Sequence, residues 1–122
     1  MQNFRLFQTA IMFFKKCKCV SMPRHLREQL DRASASISCN IGEDYGRSSK
    51  LDKRRFYRIA LGSTRECRTL LILAEHEDPE LMGMLDFLGG GLYELSRWLD
   101  AGYRSPDERA GVIFRRLEIR LR

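Results

Sequence analysis

Residues that interrupt helices are scarce in this chain of 122 residues, and so are the usual metal ligands. It contains three prolines and few β-branched side chains, a composition that favours helices over strands. The two histidines and four cysteines do not follow the spacing of a zinc ribbon or a thioredoxin motif. We therefore expect an all-α protein with no metal site and no cofactor.

Long apolar runs are missing as well. No segment approaches the roughly 20 apolar residues that a transmembrane helix needs. Lys15, Lys16 and Lys18 follow the short apolar N-terminal segment. In a signal peptide the basic residues precede the apolar segment. The cysteines show no disulfide framework, so the sequence predicts a reducing, cytoplasmic location without membrane association.

Recognisable catalytic motifs are absent too. The glycines at 89–91 are not followed by a lysine, unlike those of a phosphate-binding loop. Ser63 and Glu66 lie near each other without a histidine. Glu43 and Glu66 are a candidate carboxylate pair, although a structural role, such as ion pairing with Arg47 or Arg58, is the favoured interpretation. We therefore expect a non-enzymatic protein and keep an enzyme using Glu43, Ser63 and Glu66 as a third hypothesis.

Apolar residues recur at three- and four-residue intervals, which predicts helices. The expected ranges are 3–18, 23–44, 50–77 and 79–102, with a short fifth helix ending near residue 121. Short connections predict an antiparallel, up-and-down four-helix bundle over residues 1–102. Residues 103–122 form a separate, basic C-terminal extension in this interpretation.

Several helix ends carry recognisable signals. Ser49 with Asp52, and Asp78 with Pro79, are typical of helix starts. Gly46 is suited to a helix end. Three consecutive glycines at 89–91 disfavour a helix interior, so we expect either a kink or close packing against another segment there.

The third predicted helix carries most of the positive charge. The net charge is +6, although residues 69–100 alone carry −6, so the remainder carries +12. Five basic residues fall within about 80° of the helical wheel, opposite an apolar arc of about 100°. The basic residues are Lys50, Arg54, Arg58, Arg65 and Arg68; the apolar arc comprises Phe56, Ile59, Ala60, Ser63, Cys67, Leu70 and Ala74.

Regularly spaced cations neutralise phosphates and give salt-dependent, sequence-tolerant binding. The predicted nucleic-acid site therefore comprises Arg47, Lys50, Arg54, Arg58, Arg65 and Arg68. Tyr45 and Tyr57 lie close enough in sequence to stack on bases. Leu61 and Ile72 share the basic face, which favours the alternative that this face packs on the acidic fourth helix of a neighbouring copy. Both alternatives remain open.

The segment RASASISCNIGEDYGRSSK, followed by FYRIALGSTRECRTLLILA, carries a family resemblance. It resembles the four-helix-bundle proteins encoded in intervening sequences of 23S ribosomal RNA genes. The same family includes the accessory variability determinant proteins of diversity-generating retroelements. The matching residues are Arg32, Ala33, Ser36, Ile37, Asn40, Ile41, Glu43, Tyr45, Gly46, Arg47, Ser49, Lys50, Phe56, residues 59–63 and Glu66.

The resemblance implies a bundle that assembles into a homopentameric barrel. For the retroelement branch it also implies binding of RNA or DNA and of a reverse transcriptase. For the intervening-sequence branch it implies a structural homo-oligomer. The residues predicted to contact a second copy or a partner are Asn40, Glu43, Tyr45, Leu61, Glu66 and Ile72.

Overall fold

A computed structural model describes residues 2–43 and 49–101 of the chain, and these form four α-helices. They are α1 (Gln2–Cys17), α2 (Arg24–Glu43), α3 (Lys50–Leu73) and α4 (Pro79–Ala101). Each helix packs against the next one in the chain, and α4 closes the ring by packing against α1. The predicted all-α four-helix bundle is confirmed. The turn around Gly46 and the extension at 103–122 lie outside the described residues.

Both predicted helix starts are present. Ser49 is the N-cap of α3, and its hydroxyl accepts a hydrogen bond from the backbone N–H of Asp52 at 3.4 Å. Asp78 precedes α4, and its Oδ2 accepts from the N–H of Leu81 at 3.0 Å. Each cap satisfies an N–H group that has no partner inside its own helix.

The end of α3 differs from its prediction, because the helix stops at Leu73 and not near Glu77. Glu75 adopts a positive φ of 55°. Its N–H donates to the carbonyl of Ile72 at 3.0 Å, and the N–H of His76 donates to the carbonyl of Leu71 at 2.9 Å. These two bonds form a Schellman motif, in which a glutamate occupies the position usually taken by glycine.

One apolar stripe from each helix fills the centre of the bundle. The α1 stripe that faces this core is Leu6, Ala10, Phe13 and Cys17, all 0% exposed, whereas Phe4 on the neighbouring stripe is 46% exposed. The leucines of α4 are also buried, apart from a partly buried Leu95. The other core residues of α2 and α4 are Leu26, Leu30, Ala33, Ile37, Ile41, Leu81, Leu85, Leu88, Leu92 and Leu99.

The three consecutive glycines at 89–91 lie inside α4, which is one continuous helix. Gly91 is buried, and a Cβ atom built on it would lie 2.6 Å from Cδ2 of Leu6. Of the two predicted explanations, close packing therefore applies at Gly91, where the Leu6 side chain of α1 rests on the α4 backbone. Within the described residues, no helix has both the length and the apolar content needed to cross a membrane.

Candidate nucleic-acid interface

The core-facing side of α3 is rotated from its predicted position. Ile59, placed in the predicted apolar arc, is 40% exposed, and Phe56 and Ser63 are only partly buried. On a helical wheel the buried side is displaced by about 70° toward the basic residues. The buried residues are Tyr57, Ala60, Leu61, Thr64, Cys67, Leu70 and Leu71.

This rotation places the basic residues beside the core, about a quarter of a turn from it on the wheel, and not half a turn away. Lys50, Arg58 and Arg65 are exposed, whereas Arg54 and Arg68 are partly buried. These five residues form what we call the α3 basic stripe, and its C-terminal part borders α4. Arg47, the sixth predicted cation, lies outside the described residues.

Arg68 connects the basic stripe to α4. Its Nη2 lies 2.5 Å from Oδ1 of Asp86, and its Nη1 lies 3.6 Å from the sulfur of Met82. The two charged side chains are 40% and 73% exposed, and an ion pair this exposed contributes about 0–1 kcal/mol. The pair therefore positions the Arg68 guanidinium more than it stabilises the bundle.

A groove of about 390 Å³ lies between α3 and α4, and we refer to it as the α3–α4 groove. Gly89, Gly90 and Tyr93 lie on its α4 side. Arg65 and Arg68 lie on its α3 side. The remaining lining residues are Leu61, Thr64, Leu85 and Asp86.

The aromatic residue of this surface was missed by sequence reasoning. Tyr57 was expected to stack on bases, but it is 4% exposed and belongs to the core, so that interpretation is wrong. Tyr45 lies outside the described residues. Tyr93 is 40% exposed. It follows Gly89 by one helical turn, and this spacing was the feature of the sequence that could have placed both residues on the same side of α4.

The predicted partner-contact residues that the structure describes lie on α2 and α3. Leu61 is 9% exposed and belongs to the core, which accounts for an apolar residue at the edge of the basic stripe. Ile72 is 46% exposed, and Glu43 and Glu66 are also exposed. Tyr45 lies outside the described residues.

Asn40, the sixth of these residues, belongs to a hydrogen-bond network that joins α2 to α3. Its Nδ2 donates to the carbonyl and to Oγ of Ser36, at 2.8 and 3.0 Å. Oγ of Ser63 on α3 donates to the same Ser36 Oγ at 2.8 Å. The Ser63 hydroxyl of the enzyme hypothesis is thus occupied by a contact between helices.

A family model described as 23S rRNA-intervening sequence protein matches residues 2–79. The matched segment covers α1, α2 and α3 and ends at the first residue of α4. Neither a curated protein nor a solved structure matches the chain. The basic stripe therefore lies inside the matched segment, whereas Gly89, Gly90 and Tyr93 lie beyond it.

Proposed function

Because the chain belongs to the family of 23S rRNA-intervening sequence proteins, we propose that it is a non-enzymatic, homo-oligomeric accessory protein that binds RNA or DNA through the α3 basic stripe. The observation that carries this proposal is the alignment of five cations along one side of α3, next to α4. Lys50 and Arg68 are 18 residues apart, which corresponds to about 27 Å along the helix axis. A stripe of that length spans several phosphates of a nucleic-acid strand.

The assembly forms a further part of the proposal. Exposed aromatic side chains on α1 and α4, namely Phe4 at 46%, Phe87 at 41% and Trp98 at 46%, support contacts between copies. The bundle is antiparallel in this proposal. Two contacts support an antiparallel orientation of α1 and α4. Near the end of α1, Lys16 pairs with Glu80 at the start of α4 at 2.6 Å, whereas Leu6, earlier in α1, lies against Gly91, later in α4.

The finer identity of the assembly and of its partner rests on the resemblance described above. We propose a cytoplasmic homopentamer that assists the reverse transcriptase of a retroelement. Mass measurement in solution tests the number of copies. Co-purification with a reverse transcriptase encoded beside this gene tests the partner.

Removing two charges from the basic stripe tests nucleic-acid binding. Lys50 and Arg68 are left in place, and Arg58→Gln is combined with Arg65→Gln. Two fewer phosphate contacts reduce the slope of log K against log salt by roughly 1.4 for single strands and 1.8 for duplex DNA. Fluorescence anisotropy across a salt series, with labelled RNA and DNA, measures both slopes.

The matched control removes two charges elsewhere. Lys15 and Arg24 are exposed, and Arg24 pairs only loosely with Glu28 of its own helix, at 3.6 Å. We expect Lys15→Gln combined with Arg24→Gln to leave both slopes unchanged. Equal slopes for the two double variants, with the oligomer intact, contradict binding through α3.

The second candidate function is a structural homo-oligomer in which the basic stripe packs against α4 of a neighbouring copy. The Arg68–Asp86 pair favours it, because it shows that cations of α3 and acids of α4 are compatible partners. Exposed Ile72 and Leu73, at 46% and 62%, would add apolar contact. In that case light scattering on the Arg58→Gln/Arg65→Gln variant shows dissociation, and the Lys15→Gln/Arg24→Gln control stays assembled.

A further inference from the structure

Packing inside the bundle does not explain every one of the consecutive glycines at 89–91 of α4. Each glycine in a helix interior costs about 1 kcal/mol relative to alanine. Gly91 is explained by Leu6, which leaves no room for a Cβ atom. At Gly89, by contrast, a Cβ atom would lie 3.9 Å from Cγ2 of Thr64, an ordinary van der Waals contact. Gly89 and Gly90 instead line the α3–α4 groove, where they contribute backbone and no side chain.

Two kinds of side chain that line this groove, basic and aromatic, suit a nucleotide. Arg65 is exposed and lines the α3 side of the groove. Arg68 is held toward α4 by its contact with Asp86. Tyr93 is 40% exposed and lines the same groove as the two glycines. A cation and an aromatic ring beside an open helix backbone match the phosphate and the base of a nucleotide.

We propose that the α3–α4 groove binds an unpaired nucleotide, with its base stacked on Tyr93 against Gly89 and Gly90 and its phosphate at Arg65. This inference rests on the proposed nucleic-acid binding and adds a preference for single-stranded segments. Only an unpaired base exposes its ring face to a protein side chain. A duplex therefore contacts the basic stripe through its phosphates alone and leaves the groove empty.

Substitution of Tyr93 separates stacking from charge. The probes are a labelled 12-nucleotide single-stranded RNA of mixed sequence and the duplex formed with its complement, both measured at one salt concentration. Loss of one stacked base weakens binding by about tenfold. We expect Tyr93→Ala to weaken single-strand binding by that factor and to change duplex binding less than about twofold, and Tyr93→Phe to restore single-strand affinity.

The second variant fills the groove. Gly90→Leu places a side chain in the space proposed for the base without changing the charge, and leucine is a better helix former than glycine. We expect the same selective loss of single-strand affinity as for Tyr93→Ala. The matched control is Gly83→Leu, two helical turns earlier on α4, where a Cβ atom would meet nothing within 4 Å. That control retains wild-type affinity for both probes.

The outcomes separate this inference from the proposed function. If the wild-type protein binds neither probe, both fail. If it binds both probes and neither Tyr93→Ala nor Gly90→Leu changes single-strand affinity, the groove proposal is overturned and binding through the basic stripe stands. If Gly90→Leu changes the mass of the oligomer while RNA affinity stays the same, the groove holds a helix of a second copy, which also overturns the proposal.

Discussion

Glu75 shows how a single residue ends α3. Its φ of 55° lies in the left-handed region, where a Cβ atom crowds the following carbonyl. The two hydrogen bonds of the Schellman motif hold it there, from Glu75 to Ile72 and from His76 to Leu71. The left-handed conformation of Glu75 is locally unfavourable, but it ends α3 sharply, and α4 begins only four residues later.

We predict that Glu75→Gly stabilises the protein. Glycine removes the left-handed penalty of about 1–2 kcal/mol, and its greater freedom in the unfolded chain offsets part of that gain. The free energy of unfolding should rise by about 0.5–1 kcal/mol, measured by urea denaturation. Glu75→Ala, which removes the charge but keeps the Cβ atom, should bring no comparable gain. A similar increase in both variants would assign the effect to charge.

The same residue marks a limit of sequence reasoning. Glycine is the usual signal for a helix end, and residues 74–77 contain alanine, two glutamates and a histidine. These residues continue a helical pattern, so the predicted α3 ran too far. The starts at Ser49 and Asp78 were predictable because their capping side chains act locally.

At the scale of the element, the orientation of α3 was predictable only in part. Its existence and start follow from apolar periodicity and capping. Its rotation depends on Tyr57 and Thr64, which a simple apolar count leaves out but which are 4% and 3% exposed. Thr64 tolerates burial because its hydroxyl donates to the carbonyl of Ala60 at 2.8 Å. The sequence therefore predicts that the basic residues share one side of α3, but it does not predict that the C-terminal part of this side borders α4.

The packing of α1 on α4 gives a prediction for Gly91. We expect Gly91→Ala to lower the free energy of unfolding by about 1–3 kcal/mol, because the new Cβ atom would lie 2.6 Å from the fully buried Leu6 side chain. Gly83→Ala, on the same helix in open space, should instead raise it by up to about 1 kcal/mol. Thermal and urea unfolding of the two variants measure both effects.

A double variant identifies the cause. Leu6→Ala alone removes core volume and destabilises the bundle. If Gly91→Ala acts through Leu6, adding it to Leu6→Ala should produce little further loss, so the two effects are not additive. Additive losses would show that the Gly91 substitution acts elsewhere in α4.

At the scale of the whole molecule, the four cysteines report on the integrity of the core. Cys17 and Cys67 are 0% exposed, whereas Cys19 and Cys39 are exposed. Burial raises the pKa of Cys17 to about 12, although nearby Arg27 opposes the shift. Burial also raises the pKa of Cys67, with a smaller contribution from the charge of Cys17. Both thiols therefore stay protonated in the folded bundle at neutral pH.

We predict that a disulfide reagent that reacts with thiolates modifies the protein in two phases at pH 8. Cys19 and Cys39 react in the fast phase. Cys17 and Cys67 react in the slow phase, only as the bundle opens. Absorbance at rising urea concentrations should show the slow phase accelerating with the unfolded fraction. The variant Cys19→Ser/Cys39→Ser should lose the fast phase and keep the slow one. Because unfolding restores an ordinary pKa to both buried thiols, their contribution to stability is full below about pH 9 and declines as the pH rises toward 12. A fast phase in the double variant would mean that solvent reaches the core without global opening.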